Sequence, residues 1–402
     1  MRIQREYSQV IVSKKGERWL DSQHPWLYES DILEINGPVA NGDIVDVCGP
    51  KGKYLGTGFY SALSKIRVRI FCWDASATID EAFWQRKVEY AWNYRKTIRN
   101  SDLNAVRVIF GESDQFPVLT VDKFNDVLVV QCLSYGMEQM KDLVYPLIRE
   151  TLEKDGQSIR GIYERNDVAI RKLEGLKEQT GWYGQDGGLT ETVIEENDVK
   201  YYVDFANGQK TGFFLDQQAN RALTARLAHG KRVLDCFTHT GSFALNCAQK
   251  GAEKVTAVDI SETAIQQARR NAELNGLTDR MEFVTADVFE YLKDVRKGTY
   301  DLIILDPPAF TKNRKTVNNA YNGYLEINQL AMKALGRGGY LATCSCSHFM
   351  SHEMFEKMLR EASFKTGLNL KQISVSQQGS DHPIMWNVPE TDYLKFYLFQ
   401  LI

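Results

Sequence analysis

A chain of 402 residues, 43% hydrophobic and 25% charged, is too long for one core and calls for two or three domains. Its net charge of −3 excludes a globally basic nucleic-acid coat, so any phosphate-binding surface must be local. Seven cysteines without framework spacing point to reduced thiols, no apolar run approaches transmembrane length, and no signal-peptide pattern precedes the chain, so the expected location is the cytoplasm.

Residues 1–73 are rich in short β signals. DIVDV (Asp43 to Val47), KYLGTGFYS (Lys53 to Ser61) and KIRVRIF (Lys65 to Phe71) are separated by Gly and Pro turns. Lys65, Arg67 and Arg69 alternate and therefore share one strand face, which suits either a solvated face or a phosphate-contacting stripe. HPWLYESDI, NGDIVDV and YLGTGFYS together resemble the PUA domain, a small RNA-binding β-barrel. That resemblance moves the stripe towards RNA contact.

Residues 74–187 read as an α+β spacer. A helix spans Glu81 to Arg99 with Phe83, Val88, Trp92 and Tyr94 inward, and FPVLTVD and DVLVVQCLS flank a hairpin turn. A second helix runs from about Met137 to Leu152, the strand GIYERND follows, and Asp186-Gly187-Gly188 marks a boundary. Nothing here proposes chemistry by itself. Glu164 and Arg165 are its candidates to reach a site.

The third region, 188–402, opens with the hairpin VIEENDVKYYVDF and then NGQKTGFFLDQQANR, where Asp216 starts a helix with its acid in the first turn. Lys210, Phe213, Phe214 and Asp216 directly precede the next strand, and an aromatic pair suits the wall of a flat adenosyl group. That strand begins KRVLDCFTHTGSFALNCAQKGAEKVTAVD, a βαβ unit whose two buried strands end in Asp235 and Asp259. The turn between them, with Phe237, Thr240 and Gly241, opens a helix whose free N–H groups face a ligand. An acid ending the second strand commonly takes ribose hydroxyls. A dinucleotide site wants G-x-G-x-x-G, whereas this turn has one glycine and a carboxylate at its mouth. A carboxylate repels pyrophosphate and suits a cationic, phosphate-free ligand. The expected cofactor is S-adenosylmethionine, and NAD is disfavoured.

The alternation continues beyond Asp259. Ser261 caps a helix, and MEFVTADV closes on Asp287, which fits either a contact to adenine N6 or a helix cap. YDLIILD delivers Asp306-Pro307-Pro308-Ala309-Phe310, where the prolines hold the backbone extended and expose Asp306 at the strand's carboxyl edge. Lys312, Arg314 and Lys315 form a basic loop at the mouth of this site, suited to gripping phosphate. On the fifth strand Cys344 and Cys346 alternate, so both point to one face. The spacing C-x-C-x-H-x3-H offers metal ligands, but the first three crowd along one strand and no second pair exists, so no metal is expected. A purely structural reading makes both cysteines small buried residues. The nucleophilic reading uses a thiolate: addition at cytosine carbon 6 makes carbon 5 nucleophilic, while Asp306 hydrogen-bonds N3.

The PUA-like start, K-T-G-F-F-L-D-Q, D-C-F-T-H-T-G-S-F, L-D-P-P-A-F and T-C-S-C-S together resemble the RlmI-type 23S rRNA large-subunit methyltransferases, a cytosine-C5 family, over essentially the whole chain. The resemblance implies an α/β, Rossmann-like methyltransferase core on a mostly parallel seven-stranded sheet. It also implies a nucleophile at the S-C-S position, Cys346 here, with Cys344 as the alternative. Its implied substrate is large-subunit rRNA, with no membrane partner, and the oligomeric state stays open with a homodimer among the alternatives. Many cytosine-C5 methyltransferases carry a second cysteine right after the Asp-Pro of the fourth strand. Here Pro308 and Ala309 stand there. A guanine-N methyltransferase on the same fold is the alternative activity, and a nicotinamide-dependent oxidoreductase or a non-catalytic RNA-binding protein are the more distant ones.

Overall fold

The computed structural model describes residues 6–99, 102–185, 187–311 and 314–402. The chain forms two compact units. The first comprises Met1–Ile194, Val203–Leu215 and Ser380–Thr391; the second comprises Glu195–Tyr202, Asp216–Gly379 and Asp392–Ile402. Segments 203–215 and 380–391, expected in the third region, thus cluster with the first unit.

In the first unit, a six-stranded sheet takes the order Trp26–Tyr28, Ile66–Cys72, Tyr54–Tyr60, Ile44–Cys48, Gln9–Val12, Ile32–Asn36. Its inward residues, among them Val10, Val12, Leu27, Val45, Val47, Val68 and Ile70, form one small core, as period-2 alternation requires. A five-stranded sheet follows (Ala105–Phe110, Leu119–Phe124, Val127–Cys132, Gly161–Asn166, Gln179–Tyr183), covered by the helices Glu81–Arg99 and Tyr135–Lys154. Tyr94 is not among the inward residues of the first helix. Its neighbour Arg95 is buried instead, paired bidentately with Asp114 at 2.5 and 2.7 Å. A guanidinium can be buried where a carboxylate matches its fork, and Tyr94 keeps its hydroxyl on the Ser380 carbonyl, 2.9 Å away.

In the second unit the seven strands β1 (Arg232–Cys236), β2 (Lys254–Asp259), β3 (Met281–Thr285), β4 (Leu302–Leu305), β5 (Tyr340–Ser345), β6 (Leu370–Ser376) and β7 (Lys395–Leu401) stand in the order 3-2-1-4-5-7-6. β1 to β5 are parallel, and β7 runs antiparallel between β5 and β6. This is the mostly parallel seven-stranded sheet that the resemblance implied. Leu234, Cys236, Ile303, Leu305 and Leu341 are fully buried, and Tyr324, Ile327, Met332, Phe355 and Met358 of the helices Val317–Leu335 and His352–Thr366 pack on them. The chain moves outward from β1 to β3, then returns to place β4 against the other edge of β1. That reversal opens a crevice at the carboxyl ends of β1 and β4, where open α/β sheets hold ligands.

Candidate functional site

The crevice is built first by the turn after β1. Phe237, His239 and Gly241 all adopt left-handed backbone, with φ of 62°, 50° and 80°. For the two non-glycine residues this conformation costs roughly 1–2 kcal/mol each, so the surroundings must hold it. Asp235 and Asp259 do so. Asp235 Oδ2 accepts from the Thr238 hydroxyl at 2.6 Å and from Ala244 N–H at 2.9 Å. Asp259 accepts from His239 N–H and from Ser261 N–H, both at 2.9 Å. A side chain at Gly241 would meet the Ala268 Cβ at 3.0 Å, so only glycine closes the turn onto the following helix, Ser242–Gln249. The Thr240 carbonyl is fixed by the Asn271 amide, 3.0 Å away.

The electrostatics are those of a cation site. Asp235 Oδ1 is buried with no hydrogen-bond partner among the described residues. Burial, opposed by the Thr238 and Ala244 hydrogen bonds and reinforced by Asp306 and Asp259, pushes the Asp235 carboxyl up to about 7. Asp306, just beyond β4, is pushed to about 7 as well, by desolvation first and then by Asp216, although part of its side chain reaches the surface. Asp216 accepts a 2.6 Å hydrogen bond from Tyr393. Four carboxylates are thus coupled: Asp216 opposes the ionisation of Asp306, and Asp306 and Asp259 oppose that of Asp235, so a bound cation would relieve them. The orphaned oxygen of Asp235, the strained turn and this negative field fit a ligand that carries ammonium and sulfonium charges.

The other expected residues have structural partners of their own. Ser261 and Asp287 are helix N-caps, accepting from Ala264 N–H at 3.3 Å and Glu290 N–H at 3.1 Å. Lys210 and Phe214 belong to the first unit, where the Lys210 ammonium lies 4.9 Å from the centre of the Phe214 ring. Glu164 and Arg165 are buried in that unit too: Glu164 accepts from Lys141, Tyr145 and Asn166, and Arg165 donates to the Phe205 carbonyl and to Asp167. The basic stripe needs correction. Arg67 donates to the Ser61 and Ala62 carbonyls and pairs with Glu29 at 2.5 Å; Arg69 pairs with Glu174 at 3.3 Å and lies over the Trp26 ring. Their charges are answered inside the unit by carboxylates of neighbouring segments, Glu29, Glu112 and Glu174. Of the three, Lys65 is exposed. Lys315 is exposed as well, while Lys312 and the side chain of Arg314 lie outside the described residues.

The two cysteines do not share one environment. β5 ends at Ser345, so Cys344 is the last inward position, fully buried, and burial followed by Asp306 pushes its thiol well above the ordinary range. Cys346 stands just past the strand end, half-buried, with Sγ 3.9 Å from the Pro307 carbonyl. No group of three metal-ligating side chains occurs among the described residues. Three further residues shape the site. Gln217 donates to Asp306 at 3.1 Å, and its own amide oxygen accepts from Asn220 at 2.6 Å. Thr238 holds Asp235. Lys395 of β7 donates to the Ser347 carbonyl at 2.7 Å. The L-D-Q-Q run marked Gln217 only as a helix start, and Lys395 carries no local sequence signal.

Comparison with known proteins shows the family. Residues 118–370 match the model of an S-adenosylmethionine-dependent methyltransferase family, and residues 10–73 match a PUA-like domain. The chain is 40% identical over 390 residues to ribosomal RNA large subunit methyltransferase I of Aeromonas salmonicida, covering 96% of this chain and 97% of that protein. It is 37% identical over 390 residues to the protein of the same name from Escherichia coli, with the same coverage. Among solved structures, it superposes on a putative S-adenosylmethionine-dependent methyltransferase from Streptococcus mutans with a TM-score of 0.80, at 22% identity and over 98% of this chain and 99% of that one. A putative methyltransferase complexed with S-adenosylhomocysteine gives 0.82 with the same identity and coverage.

Proposed function

Because the chain belongs to the ribosomal RNA large subunit methyltransferase I family of S-adenosylmethionine-dependent enzymes, we propose that it methylates carbon 5 of a cytosine in large-subunit rRNA, with Cys346 as nucleophile. Asp235 would face the cations of the cofactor, Asp259 its ribose, and Asp287 its adenine. Bound S-adenosylmethionine supplies the methyl group, as an electrophilic carbon on a positively charged sulfur. Cytosine carbon 5 is too weak a nucleophile to take it unaided. The Cys346 thiolate adds to carbon 6, which places electron density on carbon 5 and negative charge towards N3. Asp306, protonated over part of its population near pH 7, can donate to N3 as that charge develops. Once carbon 5 carries the methyl group, a water molecule takes the carbon 5 proton, the ring expels the thiolate, and N3 returns its proton to Asp306.

The observation that carries this reading is the meeting of Asp306-Pro307 and Cys346 at the adjacent carboxyl ends of β4 and β5. It also favours Cys346 over Cys344, whose buried thiol resists ionisation and already contacts Asp306. Lys65 and the loop Lys312 to Lys315 would hold RNA phosphates. RNA whose target cytosine carries fluorine at carbon 5 should trap the enzyme, since no proton can leave. A denaturant-stable adduct with the wild type and with Cys344→Ser, but not with Cys346→Ser, is expected. If the two variants exchange behaviour, Cys344 is the nucleophile. If both methylate normally and no adduct forms, the cysteines belong to the core and a guanine-N activity replaces this reading.

A further inference from the structure

Lys395 is a charged residue in the interior. It is only 2% exposed, and among the described residues no carboxylate lies within ion-pair distance of its ammonium. An interior charge of this kind is costly and is retained where something answers it. Two of its three N–H bonds donate to backbone carbonyls, of Ser347 at 2.7 Å and Tyr393 at 2.8 Å, leaving a third. The antiparallel register of β5 and β7 sets Ser345 opposite Lys395, so the ammonium is delivered to the turn that carries Cys346.

We propose that Lys395 is a positioning residue for Cys346: its ammonium fixes the Ser345-Cys346-Ser347 turn and supplies the positive charge that favours the cysteine's thiolate. The inference rests on Cys346 being the nucleophile. Tyr324, Cys344, Asp306 and Asp392 do not supply that charge. Tyr324, from the helix Val317–Leu335, shares a 3.0 Å hydrogen bond with the Ser347 hydroxyl and is neutral, with its phenol pushed to about 12 by burial. Cys344 is fully buried, and it and Asp306 can only add negative charge. Asp392 is engaged by His352 at 3.2 Å and by Gln377 at 3.1 Å. Burial pulls the Lys395 ammonium down to about 8, and Cys346, then Asp392, act in the opposite sense. The lysine therefore keeps its charge near neutral pH and loses it above about pH 8, which limits the thiolate's advantage to the physiological range.

The test measures thiol acidity directly, in the full-length protein without RNA. Iodoacetamide labelling of Cys346, quantified by peptide mass spectrometry from about pH 6 to about pH 10, gives the midpoint of its ionisation. The wild-type midpoint should lie below that of an ordinary thiol. Lys395→Met should raise it, so that labelling near pH 7 slows roughly tenfold, and Lys395→Arg should restore most of the rate. Labelling of the buried Cys344 reports loss of the fold; if Lys395→Met fails by that criterion, Lys395→Gln takes its place. Equal midpoints in the wild type and the uncharged variant overturn the proposal. So does a wild-type midpoint at or above the ordinary value, with no variant required. The fluorocytosine trap reads the nucleophile separately: an adduct without a midpoint shift removes only Lys395's role, and a midpoint shift without an adduct removes only the nucleophile.

Discussion

Asp235 couples cofactor binding to stability in a way that one substitution exposes. Its carboxyl is about 1% accessible and held near 7, against 3.8 for an unperturbed aspartate. The folded protein therefore prefers the neutral acid. Its stabilising effect is complete below about pH 4 and is lost as pH rises through 7, the sense expected when folding raises an acid's pKa. A rise from 3.8 to about 7, at about 1.36 kcal/mol for each tenfold change in acidity, bounds the loss at about 4 kcal/mol above pH 8. Asp235→Asn keeps an oxygen that can accept from Thr238 and Ala244 and removes the ionisation. In the absence of cofactor the variant should match the wild type near pH 4 and exceed it at about pH 8.5, by up to roughly 10 °C in Tm for a unit of this size. Asp306 titrates in both proteins, and without a charge at position 235 beside it its ionisation is opposed less in the variant, which adds to the difference in the same sense. On the proposed reading, in which Asp235 faces the ligand's charge, the same substitution should weaken S-adenosylmethionine binding. In the wild type that ligand should displace about half a proton at pH 7, visible in titration calorimetry as a dependence of the heat on buffer ionisation. A stability difference independent of pH would refute the reasoning. Unchanged affinity would remove Asp235 from the cation site.

The same geometry makes three more outcomes checkable. If Asp306 is the proposed donor, the turnover of saturated enzyme should fall as pH rises through its ionisation, which a bound cation sets below the cofactor-free value of about 7, and Asp306→Asn should abolish that alkaline limb at a much reduced rate; a limb that persists in the variant would assign it to another group. Gly241→Ala forces a side chain into left-handed backbone against Ala268 and should cost about 1–2 kcal/mol by urea denaturation while weakening cofactor binding, and an unchanged midpoint would show that the turn relaxes freely. Arg221 and Glu196 form a buried pair with two 2.6 Å bonds, so Glu196→Gln alone should cost about 3–5 kcal/mol and a double replacement by apolar residues of similar volume should recover most of it; equal losses in both would mean the pair is no more than packing.

How much of this was legible in the chain depends on the range of the interaction that fixes it. Strands β1 to β5 and the Glu81–Arg99 and Val317–Leu335 helices were readable because burial writes its period locally, into apolar runs and helical stripes. The acids at strand ends were readable for the same reason: a parallel strand that stops in Asp before a turn puts that Asp at the carboxyl edge wherever the sheet lies. Three things required the folded chain. Arg67 and Arg69 alternate like a surface stripe, yet Glu29, Glu112 and Glu174 take their charges, and two of those acids come from other elements far along the sequence. Cys344 and Cys346 look equivalent at a spacing of two, but the strand ends between them, leaving one thiol sealed and the other half-exposed. Lys395 lies 49 residues beyond Cys346 and reaches it only because β7 turns back antiparallel against β5. Local periodicity reports which face is apolar. Charge neutralisation, strand termination and antiparallel register are decided by neighbours distant in sequence, so they exist only once the tertiary structure has brought those neighbours together.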